Sequence, residues 1–134
     1  MAKLTTIEGV GPVLSEKLRG AGVGSTDTLL RAGASKTGRR NIAAKSGIDE
    51  GRVLKFVNHA DLMRVKGIGG EYAELLDAAG VDTIPELGNR NSTNLSGRMK
   101  QENDARKLVR LVPSQSRVSE WVRQAKTLDR IITY

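Results

Sequence analysis

Cysteine is absent from the 134 residues, which excludes disulfides, thiolate metal sites and thiol nucleophiles together. Aromatic residues make up only 3% of the chain, too few for a platform of stacked bases, so single-strand binding by stacking is not expected. His59 is the only histidine. One imidazole without thiolates or clustered carboxylates makes a poor metal site, and a partly buried packing role in its helix is the expected one. No cofactor is expected. Strand-like alternation and Asn-Gly hairpin turns are also missing, which leaves an all-α chain. No apolar run is long enough to cross a bilayer, and the opening MAKLTTIEGV lacks the apolar stretch of a signal peptide. A cytoplasmic protein with no membrane partner is expected. Nothing supplies a nucleophile, a metal cluster or a phosphate-binding loop with its lysine, so neither enzymatic activity nor a small-molecule substrate is expected.

What the chain has in excess is positive charge. The net charge is +7 and the pI about 10.1, a balance that favours an anionic partner. Residues 1–64 hold eleven Lys/Arg against six Asp/Glu, and residues 65–134 hold eleven against nine. The first half therefore carries most of the excess.

The chain also repeats itself. VKGIGGEYAELLDAAGVDTI (residues 65–84) restates the plan of IEGVGPVLSEKLRGAGVGST (residues 7–26) at a spacing of 58. In each copy two glycines, Gly9 and Gly11 or Gly67 and Gly69, bracket one apolar residue, Val10 or Ile68. This predicts a tight turn with positive φ at the glycines and an apolar plug. A helix follows, and Gly22 or Gly80 stands where a left-handed C-terminal cap is wanted, with Val23 or Val81 folding back. Pro12 suits the first position of the first helix.

Between the copies the pattern predicts a short helix capped by Ser25 or Thr26, a helix from Ser35 to Gly47, and one of about four turns from Asp49. Asp49 and Glu50 are the acids expected in a first turn. After the second copy come a short helix opened by Pro85, one begun by Asn91 or Ser92, a separate segment holding Ala105, Leu108 and Val109, and a last helix from Ser114 to about Arg130. Arg117, Val118, Trp121, Val122 and Ala125 echo Arg52, Val53, Phe56, Val57 and Ala60 at a spacing of 65. Phe56 and Trp121 read as core anchors. The expected organisation is two tandem helical hairpin units, residues 1–64 and 65–134, packed as one compact domain about a pseudo-twofold axis with the last helix beside Ile7 to Pro12.

The motif of an apolar residue, any residue, Gly, an apolar residue and Gly, followed by a helix, resembles the helix-hairpin-helix motif. Its extension through AAGVDTIPEL is similar to the small helical domains at the N-terminus of certain recombinases and the C-terminus of the RNA polymerase α subunit. End to end, with IEGVGP, KLVRLVPS and WVRQAK, the chain resembles a bacterial family catalogued as a domain of unknown function. The helix-hairpin-helix resemblance implies a module that holds nucleic-acid backbone without reading sequence, through backbone N–H groups at a helix N-terminus. Mapped onto this chain, the candidate binding residues are Gly9, Val10, Gly11, Lys17, Arg39, Arg40, Lys45, Lys66, Gly67, Gly69 and Gly70. Lys36, Arg52 and Lys55 extend the basic stretch. Pro12 removes one N–H from the first turn. Glu71 and Glu74 satisfy the dipole of the second helix themselves, so the first turn is the expected site. Duplex DNA, in preference to RNA, is the expected partner; the alternative is a protein–protein interaction adaptor on a degenerate scaffold of this kind.

Overall fold

The backbone of both repeats follows from where glycine is placed. In the computed structural model, which describes residues 2–134, Gly9 has φ +91° and Gly67 φ +100°, a region that a Cβ resists. The chain doubles back there, and the N–H groups of Val10 and Ile68 donate to the Ile7 and Val65 carbonyls, each at 3.1 Å. Val10 and Ile68 are buried, as expected. Gly11 and Gly69 depart from expectation: both are extended (φ −89°, ψ −173° and φ −97°, ψ −171°), a conformation open to any residue. The reversal is complete one residue earlier, so only the first glycine of each pair bears the unusual torsion.

Helices α1 (Pro12–Gly20) and α5 (Gly70–Ala78) start at these glycines. Both end alike, with Gly22 at φ +85° and Gly80 at φ +90°. Val23 N–H then donates to the Leu18 carbonyl and Val81 N–H to Leu76, each at 2.9 Å. These bonds close the last turn and fold a buried valine onto the helix.

Among the described residues the chain is all-helical, with a 3-10 turn (Leu4–Thr6), eight α-helices and no strand. It divides into two compact units, one formed by residues up to Asp61 with Ile131–Tyr134, the other by Leu62–Arg130. The repeat in the sequence places a boundary after residue 64; Leu62 falls in the second unit because its side chain is fully buried in that unit's core.

The first unit adds α2 (Thr26–Ala32), α3 (Lys36–Ser46) and α4 (Glu50–Leu62), which leaves the unit at its last residue. Ser25 and Ser35 cap α2 and α3 by accepting from the N–H of Thr28 (3.1 Å) and Gly38 (3.0 Å). Asp49 does the same for α4 through Gly51 N–H at 3.0 Å. Helix α1 packs on α3 and on the 3-10 turn, and α2 packs on α3. The step from α2 to α3 is so tight that a Cβ on Gly38 would stand 2.0 Å from the Ala32 carbonyl oxygen. Residues 131–134 return to this unit: Thr133 N–H donates to Ala34 at 2.8 Å, and Ile132 is buried.

The second unit holds α5, α6 (Ile84–Gly88), α7 (Ser92–Arg106) and α8 (Gln115–Ala125). Helix α8 packs on α6 and α7, and α7 on α5. The core gathers Leu75, Leu76, Ile84, Leu87, Leu95, Met99 and Trp121, all essentially inaccessible. Helix α7 is one element where two segments were expected. It stops at Lys107, a left-handed residue (φ 55°), and Leu108 and Val109 lie beyond it. The buried Asn103 amide clasps Val109, accepting from its N–H at 2.9 Å and donating to its carbonyl at 3.1 Å. Helix α8 starts at the expected Ser114 cap but ends at Ala125, not near Arg130. Thr127 and Leu128 turn back onto the Gln124 and Ala125 carbonyls (3.0 and 3.3 Å), a tightening that terminates a helix. Helix α8 lies against the Gly67 turn of its own unit.

Candidate nucleic-acid interface

At the first turn, Gly11 starts α1 without any side-chain hydrogen bond to the helix. The first intrahelical donor is Ser15 N–H, bonded to the Gly11 carbonyl at 2.9 Å, and Pro12 has no N–H. The amides of Val13 and Leu14 are thus the ones without an intrahelical acceptor. Val13 is 69% exposed, and a Cβ on Gly11 would meet nothing within 4 Å. The second turn is built alike. Gly69 lacks a side-chain cap, the first intrahelical donor is Ala73 N–H at 2.9 Å, and the space before Gly69 is equally empty. With no proline, Gly70, Glu71 and Tyr72 all present amides to that end. Glu71 is the acid in this first turn.

The two turns are braced differently. Phe56 of α4 lies against Gly9, its Cε1 3.5 Å from where a Cβ would stand. The equivalent of Phe56 in the second unit, Trp121, crowds Gly67 more closely, with Nε1 at 2.9 Å and the Arg117 Nη2 at 3.7 Å from that point. Gln124 holds the neighbouring Lys66 backbone on both sides, its Oε1 accepting from the N–H at 3.0 Å and its Nε2 donating to the carbonyl at 3.3 Å. The Lys66 side chain remains exposed.

The predicted cations separate into groups. Lys17 is exposed, but it lies roughly 7.5 Å along α1 from its start, in the last turn. Arg40 is exposed and makes a loose pair with Glu50 at 3.7 Å. Lys45 is exposed in the last turn of α3, where a cation also favours the helix dipole. Lys36 and Arg52 are exposed as well.

Arg39 differs from all of these. It is 4% exposed, and its guanidinium donates to the Gly33, Ala34 and Thr133 carbonyls at 2.9, 3.1 and 2.9 Å. It also lies 5.5 Å from the centroid of the Tyr134 ring. Its charge is turned inward, joining α2, α3 and the returning C-terminal segment. Three carbonyls arranged around one planar fork account for arginine at this position.

The basic stretch included Arg52, but Arg117 had no expected role, and neither arginine was expected over an aromatic ring. Arg52 is centred 5.5 Å from the Phe56 ring. Arg117 is centred 5.3 Å from Tyr72 and 5.6 Å from Trp121, and those two rings are 5.3 Å apart. The signal was present in the echo at spacing 65, which pairs Arg52 with Arg117 along with the aromatics.

One carboxylate in the second unit is strongly perturbed. Asp82 is pushed up to about 6, first by burial, then by a hydrogen bond with Asp77 and the nearby charges of Glu86 and Asp77. His59 is buried at 1%, a fuller burial than the packing role expected of it required.

No curated protein and no solved structure matches the chain. Residues 8–128, which take in both turns and all eight helices, match a family described as Domain of unknown function (DUF4332), and the chain belongs to that family.

Proposed function

We propose that the chain is a non-enzymatic module that holds the backbone of duplex nucleic acid, DNA in preference to RNA, without reading sequence. Its two units are read as copies of a helix-hairpin-helix plan. The observation that carries the reading is the start of α1: a reversal at Gly9, amides without intrahelical acceptors, no capping side chain, and empty space in front of Gly11. Backbone torsion does not demand glycine at 11 or 69, and neither does packing within the chain. A phosphate oxygen approaching the amides does benefit from a bare backbone there. Glu71 disfavours the same contact at the second turn, so the first turn is the principal site. Exposed Arg40 and Lys45, with Lys17 and Lys36, supply the surrounding field, and Arg39 is excluded because its guanidinium is bonded inward. No helix among the described residues is long and apolar enough to cross a membrane.

Anisotropy titration against a 20-base-pair duplex at several salt concentrations tests this. Affinity should fall steeply with salt and differ little between sequences. Replacing Arg40 and Lys45 together by alanine should weaken binding and lower the log–log salt slope by about 2. Absence of duplex binding at low salt removes the proposal.

A second reading, a protein–protein interaction adaptor on the same scaffold, is favoured by Glu71 at the start of α5 and by Val13 and Leu111, which are 69% and 73% exposed. A stoichiometric protein partner that survives nuclease treatment, with no duplex binding, would establish it instead.

A further inference from the structure

We propose that Arg52 and Arg117 are the arginines that grip phosphodiester oxygens, one for each unit, and that the second unit is thereby also competent to bind backbone. The assignment rests on the backbone-binding reading above and names the residues it lacked. Helix-hairpin-helix logic looks for a cation just after the turn. Here that neighbourhood offers Pro12 and Val13 in the first unit and Glu71 in the second.

The cation is instead delivered from another helix. Arg52 on α4 and Arg117 on α8 each precede by four residues the aromatic that leans on the positive-φ glycine of the same unit. Four residues is about one helical turn, so arginine and ring share a face. The guanidinium carbons lie 5.5 Å from the Phe56 centroid and 5.6 Å from the Trp121 centroid. At the second turn Arg117 Nη2 is within 3.7 Å of the point where a Gly67 Cβ would project, and Tyr72 supplies a further ring at 5.3 Å.

Several other arginines have partners within the chain. Arg40 pairs with Glu50 and Arg123 with Glu120, while Arg39 and Arg90 donate to backbone carbonyls. Among the described residues no carboxylate ion pair or hydrogen bond engages the guanidinium of Arg52 or Arg117, and both residues are exposed. Its place over the ring limits the side chain's freedom, leaving donors at its edge to meet an oxyanion in bidentate fashion. An arginine present only to cover the ring would act through its stem and its plane. That role would affect stability and leave the salt dependence of binding untouched.

The experiment compares duplex-DNA titrations of the full chain with Arg52→Gln, Arg117→Gln, the double variant, and Arg52→Lys with Arg117→Lys, each checked for its thermal midpoint. Each glutamine variant should weaken binding about tenfold at low salt and lower the log–log salt slope by about 1. The Arg117→Gln change should be the smaller, because Glu71 opposes phosphate there. The lysine pair should keep the slope and lose part of the affinity, since a point charge replaces the fork. If the native chain binds duplex and the folded double glutamine variant keeps affinity and slope within twofold, this assignment falls and the broader reading stands. A native chain that binds no duplex overturns both.

Discussion

The turns at Gly9 and Gly67 have matching torsions and matching hydrogen bonds, yet their surroundings differ. The first is followed by Pro12 and an uncharged helix start and is backed by Phe56 with Arg52 over its ring. The second is followed by Glu71, clasped by Gln124, and backed by Trp121 with Tyr72 and Arg117. The backbone is common because glycines at equivalent positions impose it. The charge and the bracing come from positions that the turn geometry leaves free. A repeat can therefore fix a scaffold twice while leaving each copy's chemistry open.

Four expectations test that contrast. The largest effect concerns the aromatic braces. Trp121→Ala and Phe56→Ala should each cost about 3–5 kcal/mol in urea unfolding, as large-to-small core changes do. Trp121 should cost more, because Tyr72 and the Gly67 turn lean on it. A negligible loss for Phe56→Ala would mean that the first turn does not need its brace.

The glycines come next. Gly9→Ala should cost about 1–2 kcal/mol from its torsion alone, since Phe56 sits at an ordinary contact distance. Gly67→Ala should cost about 3 kcal/mol, because a Cβ 2.9 Å from Trp121 Nε1 must displace the ring. Equal costs would show that the tighter bracing of the second turn has no energetic weight.

Arg39→Lys should destabilise the first unit by about 2 kcal/mol, since an ammonium cannot satisfy three carbonyls as one fork does. Faster exchange of the Thr133 amide, bonded to Ala34, would report release of the C-terminal segment. Unchanged protection there would place the arginine outside that role. The second unit has no such buried arginine, so its amides should be unaffected.

The smallest effect depends on pH. Asp82 has a folded value of about 6 against an ordinary 3.8, so the native state holds the proton more tightly than the unfolded chain. Stability of the second unit should therefore fall as pH rises from about 4 to about 6 and level off above. Asp82→Asn should flatten that slope, with a gain under about 1 kcal/mol at neutral pH given solvent screening. A slope that survives the substitution would assign the effect to other groups.

Much of the fold was legible from spacing: Pro12 at the start of α1, the Ser25, Ser35 and Ser114 caps, and the glycines after α1, α3 and α5. These are local signals, readable within a turn or two of helix. Arg39 was not legible. It stands beside Arg40 in the most basic stretch and reads as surface, but its partner Thr133 is 94 residues away. Gly38 reads as an indifferent helix residue until the Ala32 carbonyl is brought against it. The unbroken α7 was hidden by polar residues whose helix ends only where Asn103 clasps Val109. At the candidate interface, spacing identified both glycine turns and the cations of α3, and it paired Arg52 with Arg117 without showing that each lies over a ring.

By itself the sequence determined the all-helical class, the doubled turn and the excess of positive charge, because helix periodicity, glycine torsion and net charge are properties of neighbouring residues. Tertiary structure decided which cations face solvent. A guanidinium's surroundings depend on segments that meet only after the chain folds, and that is why Arg39 is turned inward while Arg52 and Arg117 lie over aromatic rings at the surface.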